Sequence, residues 1–381
     1  KSTMINYISS LFKDKQKIFL ANTNPAVENL RRKVTAEHAE FVTITKFLSK
    51  DVSNDCDILC LDECSTISNR DMVRVLQRAQ CKLLVLVGDI YQIESILFGN
   101  WFNIAYKVMP KDSVAELTRP HRTTVQGLIE VWNKVREITE DRLEFITRNG
   151  LSSTLDESIF SRTEEDEIVL CLNYDGIYGI NNINKFLQSN NVNPSINWGV
   201  LSYKVGDPVL FNESNRFAPL VYNNLKGKIL QIEEEEDCIY FTIEVYTVLN
   251  ELDVIGFDLE LKESVTDETS VIRFKVGRGG DGNDDNDNVE NVVPFQVAYA
   301  ISIHKAQGLE YESVKVVITS EIEEMVSHNI FYTAITRAKS KLKIYWSPET
   351  EKRILENMKV QFNDKDYQLF KAKYKEALLK S

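Results

Sequence analysis

The chain of 381 residues is 43% hydrophobic and 27% charged, the balance of a folded protein of two to three domains and not of a disordered one. No stretch approaches the ~20 uninterrupted apolar residues of a membrane span and no signal peptide opens the sequence, so a cytoplasmic protein is expected. The formal net charge of −12 argues against a general polyanion binder but leaves room for one local basic groove, because the acid is concentrated in residues 233–237 and 279–288.

Along the chain, Met4, Ile5, Ile8, Leu11 and Phe12 fall on one helical stripe, and residues 18–21 form a short apolar strand. Asn24-Pro25 suits an N-cap followed by a first-turn proline, with Val27, Leu30 and Val34 on one face. Residues 58–61 and 83–87 are continuous apolar runs, as expected of strands buried on both faces of a parallel sheet. Between them, Ser68 with Asp71 resembles a capping box ahead of Met72, Val73, Leu76 and Ala79. Leu128, Ile129, Trp132 and Val135 mark another helix, and a strand at 168–172 followed by a helix at 177–187 opens a second α/β unit. From Val205 the texture turns β-rich, with strands near 209–211, 229–232 and 239–245, which predicts a small inserted β-domain. The α/β pattern resumes at Val292, with strands at 314–318 and 342–346. Beyond Pro348 a terminal helical region carries Tyr367, Phe370, Tyr374 and Leu378 on one stripe.

Two tempting metal sites are weak. Cys56, Cys60 and Cys64 lack a second ligand pair, and Cys60 sits in a strand-like run, so the six cysteines read as reduced thiols. Residues 279–288 lack the ligand spacing and closing Glu of an EF-hand loop and read as a solvated segment.

The residues with chemical potential sit at the ends of the predicted strands. Asp62-Glu63 ends an apolar run and should project two carboxylates from a strand's C-terminal end. Taken alone, such a pair is better explained as acid at a helix N-terminus. Gly88-Asp89-Ile90-Tyr91-Gln92 comes after the next strand. Arg122 ends Leu117-Thr118-Arg119-Pro120-His121-Arg122, and near the C-terminus stand His304-Lys305-Ala306-Gln307-Gly308-Leu309-Glu310 and Tyr332-Thr333-Ala334-Ile335-Thr336-Arg337-Ala338-Lys339. Phe98 and Trp101 could stack on bases, though core packing is the more ordinary role of each.

In this order the segments resemble the motif ladder of the superfamily 1 helicases. The continuation of the Gly-Asp-x-x-Gln motif to Phe98-Gly99-Asn100, and Val205-Gly206-Asp207-Pro208-Val209 with residues 223–227, resemble the RecD-like branch. The resemblance implies an α/β protein of P-loop NTPase fold, with two RecA-like parallel-sheet domains and a small inserted β-barrel. Its expected boundaries are 1–110, 111–204 with 293–347, the insertion at 205–292, and a helical segment at 348–381. It implies ATP and Mg²⁺ as cofactors. Lys1 and Ser2 would match the end of a Walker A motif, with Lys1 on the β/γ-phosphates and Ser2 on the metal. Asp62 would hold Mg²⁺ through water, Glu63 would polarise the attacking water, and Gln92 would sense the γ-phosphate. Arg122 matches the arginine of motif IV and Arg337 the arginine finger of motif VI, whereas Arg119 reads as a surface ion-pairing residue. Gln307, Gly308 and Glu310 would lie near the nucleotide. Asn22 and Thr23 match motif Ia, Thr45 the threonine motif that comes after it, and His304 motif V, all on the nucleic-acid side.

The sequence departs from the family pattern at Ile93-Glu94-Ser95, where Leu-Pro-Ser is usual, at His121, where Tyr is frequent, and at Asn224-Leu225-Lys226-Gly227, where Asn-Gly is expected. The Walker A glycines do not precede Lys1, so the chain as given is expected to be truncated at that motif and compromised in activity. The implied function is an ATP-dependent DNA helicase or translocase moving 5′ to 3′ on single-stranded DNA, with protein partners in a repair, recombination or defence complex. Two alternatives remain: a remodelling NTPase, on RNA or DNA, that does not separate strands, and a non-catalytic helicase-fold subunit for binding or assembly.

Overall fold

The structure is a computed structural model that describes residues 2–49, 54–93, 99–117, 122–212, 216–218, 220–264, 266–278, 291–359 and 364–380. The chain divides into two compact units, residues 1–151 with 323–340 and 349–381, and residues 152–322 with 341–348.

The first unit starts with helix α1 (Ser2–Leu11), strand β1 (Lys17–Ala21), α2 (Asn24–Lys33), β2 (Ala39–Thr43), α3 (Ile44–Leu48), β3 (Asp55–Leu61), α4 (Asn69–Arg78) and β4 (Gln80–Leu86). Helices α5 (Trp101–Val108), α6 (Gln126–Glu137) and α7 (Arg142–Arg148) come next. The strands form a parallel sheet in the order β2-β1-β3-β4. Because successive side chains leave a strand on opposite faces, the apolar runs feed two cores. Ile18, Leu20, Leu59 and Leu61 pack with Phe47, Met72 and Val75 on one face, while Phe19, Ala21 and Cys60 pack with Ile5, Val27 and Leu30 on the other. Lys17 is buried at the foot of β1, where its Nζ donates to the carbonyls of Lys13 (3.0 Å), Lys15 (2.7 Å) and Glu37 (3.0 Å).

The expected capping box is present: the Ser68 hydroxyl accepts from the Asp71 amide (3.1 Å) and donates to the Asp71 carboxylate (2.8 Å). The cap of α2 is one residue earlier than expected. Thr23 has extended backbone and accepts from the Ala26 amide at 3.4 Å, so Asn24 is the first helical residue. Residues 83–87 are not buried on both faces. Strand β4 is the edge of the described sheet, Leu83 is 39% exposed, and only β1 and β3 have neighbours on either side.

The second unit contains β5 (Ser152–Ser153), β6 (Glu167–Cys171), α8 (Ile180–Ser189), β7 (Ser195–Trp198), β8 (Leu201–Lys204), β9 (Pro208–Phe211), β10 (Lys226–Glu234) and β11 (Cys238–Val245). It continues with β12 (Glu260–Lys262), β13 (Ser270–Gly277), β14 (Phe295–Val297), β15 (Ala300–Ser302) and β16 (Tyr311–Val317), and with residues 341–345 of β17 (Ala338–Tyr345). A second sheet runs β15-β6-β16-β17-β5, parallel at β15–β6, β6–β16 and β17–β5. The inserted β-domain is a six-stranded sheet in the order β12-β13-β11-β10-β9-β14, every pair antiparallel. Its edges, β12 and β14, do not pair with each other among the described residues, so the described strands form an open sheet, with a bulge between Ile229 and Gln231, and do not by themselves close the expected barrel. Its core is aromatic, with Phe241 edge-on to Phe295 (4.9 Å) and to Tyr203 (5.2 Å).

Asp207 joins the insertion to the α/β part of this unit. Its fully buried carboxylate accepts from Gln188 Nε2 (2.6 Å), Asn191 Nδ2 (2.8 Å), the Lys204 amide (2.9 Å) and the Tyr299 hydroxyl (2.8 Å). Asp207→Ala leaves four donors without their acceptor. At ~1–3 kcal/mol for each buried unsatisfied group, partly relieved by entering water, a loss of about 3–5 kcal/mol is expected in urea unfolding. Asp207→Asn, which keeps one acceptor oxygen, should lose less.

The chain then returns to the first unit with α9 (His328–Ile335), α10 (Pro348–Asn357) and α11 (Asp364–Lys380). Contacts group residues 111–151 here, whereas the sequence-based boundary falls after Pro110. The buried stripe of α6 (Leu128, Val131, Trp132, Val135) explains the grouping, since Trp132 Nε1 donates to the Ile335 carbonyl of α9 at 3.0 Å. Of the terminal stripe, Phe370 is largely exposed, and the Tyr374 and Leu378 side chains lie outside the described residues.

Candidate functional site

At the C-terminal end of β3, the Asp62 amide donates to the Leu20 carbonyl of β1 (2.9 Å) and the Cys64 amide to the Val87 carbonyl just beyond β4 (2.9 Å). These bonds pin a sharp turn. Within it the Asp62 carboxylate accepts from the Glu63 amide at 2.9 Å, and Glu63 takes a left-handed backbone with φ 49°. A non-glycine residue in that region costs about 1–2 kcal/mol, and such residues collect at functional sites, where the surroundings over-determine them. Glu63 precedes the short 3-10 helix Cys64–Thr66 but makes no side-chain cap to it, which removes the helix-capping explanation for the acid pair. Cys60 and Cys64 belong to the core below, where burial raises both thiols well above their ordinary range.

The loop after β4 turns at Gly88. A Cβ there would lie 2.5 Å from the Phe102 ring and 3.2 Å from the Cys64 Cβ, so any side chain would push the loop off its support. Asp89 organises the rest of the loop, its carboxylate accepting from the Tyr91 amide (3.0 Å) and from Gln92 Nε2 (3.1 Å). The buried Gln92 is thereby held by an acid three residues earlier. The Ile93 amide then donates to the Thr333 hydroxyl of α9 at 3.2 Å, a bond between residues 240 apart in sequence.

Helix α9 gathers the remaining candidates of this unit. Arg337, 1% exposed, lies just beyond its C-terminal end, where Nε donates to the Thr333 carbonyl (2.9 Å) and Nη2 to the Thr336 hydroxyl (3.2 Å). Arg122 Nη1 donates to the Thr336 carbonyl. Tyr91 packs edge-on to His328 (6.2 Å) and Tyr332 (6.1 Å), and the Arg136 guanidinium stands 5.7 Å from its ring. Burial, then the nearby Asp89 carboxylate, pushes the Tyr332 phenol well up, against Arg136, Arg122 and Arg337. His328 is buried with Nε2 2.8 Å from the Val135 carbonyl, and burial lowers its pKa toward the neutral form. The structure thus brings Gln92, Arg122 and Arg337 around one short helix. Sequence reading singled out neither Asp89 nor Thr333 as a holder. Both stood inside quoted motifs, and their polarity beside apolar neighbours was the available signal.

Of the expected nucleic-acid residues, Asn22 and Thr23 are exposed at the end of β1. Asn22 Nδ2 donates to the Thr66 carbonyl (3.0 Å), while Thr23 caps α2. Thr45 is exposed on α3, a helix that Thr43 caps through the Lys46 amide (3.2 Å). Trp101 packs against Phe102 and donates Nε1 to the Ile67 carbonyl (2.8 Å), a core role. Lys1, residues 94–98 with Phe98, Arg119 and His121 lie outside the described residues, as does the side chain of Ser2, which begins α1.

In the second unit, His304 is exposed in the turns that come after β15. The Ala306 amide donates to the Ser302 carbonyl (3.1 Å) and the Gln307 amide to that of His304 (3.2 Å). Gly308 is next, at φ 82°, open to solvent but in a backbone region that favours glycine. Gln307 Nε2 is buried without a hydrogen-bond partner, and the Glu310 carbonyl accepts from Lys226 Nζ at 3.1 Å.

Could these residues take a nucleotide and its metal? Mg²⁺ needs one or two carboxylates and otherwise keeps water and phosphate oxygens, which the Asp62-Glu63 turn suits. Beside that turn, Ser65 Oγ is a buried polar atom without a hydrogen-bond partner, of the kind a bound ligand satisfies.

Two family models match the chain, an AAA domain over residues 1–156 and a UvrD-like helicase C-terminal domain over residues 297–345. The RecD subunit of the RecBCD enzyme of Mycolicibacterium smegmatis is 22% identical over 336 residues, 80% of this chain and 52% of that protein. The chain spans about half, or less, of the length of the curated relatives it matches. Among solved structures, the Pif1 helicase of Candida albicans superposes with a TM-score of 0.56 at 17% identity, over 99% of this chain and 93% of that one. A Bacteroides Pif1 helicase in complex with ADP-AlF3 and ssDNA gives 0.52 at 16%, over 99% and 91%. At these identities the structural likeness is one of fold.

Proposed function

We propose that this chain, which belongs to the RecD-like branch of the superfamily 1 helicases, hydrolyses ATP to drive movement along single-stranded DNA. The observation that carries the reading is the strained acid turn at the end of β3, where Glu63 holds a left-handed backbone beside the buried Asp62 carboxylate. His38, Ile138 and Asn224 share the left-handed backbone, so what singles out Glu63 is that conformation at a parallel strand's C-terminal end beside a second carboxylate, a placement that suits a carboxylate aimed at a reacting water.

Bound Mg·ATP supplies the phosphoanhydride and the metal's charge. In this reading Lys1 and Ser2 reach the phosphates and metal, with Asp62 as the carboxylate on the metal side and Gln307, Gly308 and Glu310 beside the nucleotide. Glu63 takes a proton from the attacking water. Gln92, its amide steadied by Asp89, senses the γ-phosphate, and Arg337 with Arg122 offsets the charge that develops there. Asn22, Thr23, Thr45 and His304 contact the strand. The Pif1 complex with ssDNA supports single-stranded DNA as the track, and the RecD relatives, named as subunits of the RecBCD enzyme, support assembly with other proteins.

Movement 5′ to 3′ is tested with partial duplexes that carry a single-stranded tail at one end or the other. ATP-dependent separation of the 5′-tailed duplex alone is expected of the full-length protein. Preference for the 3′ tail would reverse the assigned direction. Stimulation by RNA, without separation of either DNA, would replace the helicase by a remodelling NTPase.

A further inference from the structure

His328 opens helix α9, which Ser327 caps by accepting from the Ile330 amide (3.3 Å). The ring is 2% exposed, so both its polar and its aromatic sides must find partners inside the protein. The polar side meets the Val135 carbonyl, near the end of α6, 2.8 Å from Nε2; a carbonyl only accepts, so Nε2 carries the proton. On the aromatic side Tyr332, four residues on and therefore on the same helix face, stacks at 6.3 Å and 22°. Tyr91, from the loop after β4, closes the group by meeting both rings edge-on.

Tyr91 stands between Asp89 and Gln92, whose hydrogen bond fixes the glutamine amide, and its own amide donates to the same Asp89 carboxylate. Holding the Tyr91 ring therefore holds one end of the Gln92 loop. The bond from the Ile93 amide to the Thr333 hydroxyl holds the other end, and the Thr333 carbonyl accepts from Arg337 Nε. The loop is thus moored to the first turn of α9 through rings and to the second through Thr333, the residue that also holds Arg337.

We infer that His328 is a positioning residue for hydrolysis: its ring, bonded to Val135 and packed on Tyr91 and Tyr332, keeps the loop of Gln92 in register with the helix end that holds Arg337. The inference rests on the reading of Gln92 and Arg337 as partners in phosphoryl transfer, and it names what sets their spacing.

The test separates the ring from its hydrogen bond in the full-length protein. His328→Phe keeps a ring and gives up the bond to Val135, whereas His328→Gln keeps an N–H near the place of Nε2 and gives up the ring. Turnover is expected to follow the ring and thermal stability the bond. DNA-stimulated kcat should fall by about 10–10²-fold in His328→Gln, the scale of an ångström of misplacement, with KM for ATP within a few-fold. His328→Phe should recover most of that turnover while melting at a lower temperature. Tyr91→Leu removes the ring from the loop side and should lower kcat to the same degree, which keeps the inference testable if a His328 variant folds poorly. Substitutions that act through one shared contact do not add, so in a Gln92→Ala background neither His328→Gln nor Tyr91→Leu should lower kcat further. Wild-type kcat in both His328→Gln and Tyr91→Leu, a kcat that tracks melting temperature across the set, or full additivity with Gln92→Ala would overturn the inference and leave the motor standing. Wild-type kcat in Gln92→Ala, or no hydrolysis by the wild type, would instead overturn the reading of the site beneath it.

Discussion

Glu63→Gln is expected to lower DNA-stimulated ATP turnover by about 10²–10⁴-fold, the usual contribution of a positioned general base, while single-stranded DNA binding and thermal stability stay near the wild-type values. The substitution is nearly isosteric, and the strain at Glu63 lies in its backbone, pinned by the hydrogen bonds of Asp62 to Leu20 and of Cys64 to Val87. The amide keeps the shape and loses the charge and the ability to take a proton. Steady-state hydrolysis with a thermal melt of the same samples checks it. A variant with wild-type turnover would mean that Glu63 is not the base. A variant that melts far below the wild type would mean that the carboxylate is a structural element of the turn.

Arg337→Lys should reduce kcat by about 10³-fold or more, in line with what an arginine finger contributes to phosphoryl transfer, with little change in the affinity for single-stranded DNA. Lysine keeps the charge but lacks the planar fork that donates to Thr333 and Thr336 at once. Because Arg337 is buried and holds the end of α9, turnover alone cannot separate chemistry from packing. A stopped-flow measurement of nucleotide binding does. A finger leaves nucleotide affinity within a few-fold and slows the hydrolytic step, whereas a packing residue would lower stability and the active fraction with kcat per active site unchanged.

The parts of this fold legible in the sequence were those decided by neighbours in the chain. Ser68 and Asp71 are three residues apart and cap α4 as expected. Asp62-Glu63 comes after an apolar run that does form a strand, and both parallel sheets and the inserted β-rich segment lie where periodicity changed. Choices between two suitable residues were harder. Thr23 and Asn24 are both good caps, and the backbone uses the first.

Features hidden from the sequence were set by partners far away along the chain. The run at 83–87 reads as a central strand, but an apolar strand does not record how many neighbours it has, and β4 has one in the described sheet. Antiparallel alternation predicts a small β-domain equally well whether its edges meet or stay open, so the lack of pairing between β12 and β14 among the described residues had no local signal. The bond from Ile93 to Thr333 and the packing of Tyr91 on His328 and Tyr332 link motifs that the sequence presents separately. Asp207 likewise looked like part of a motif with no stated task, and only the four donors converging on it explain why an acid stands there.

The most direct measurement is ATP hydrolysis by the full-length protein with and without single-stranded DNA, with Glu63→Gln run beside it. Strong stimulation by the DNA, lost in the variant, is the predicted result. Hydrolysis absent from the wild type, or present to the same extent in the variant and indifferent to DNA, would contradict the account and leave a helicase fold used for binding or assembly.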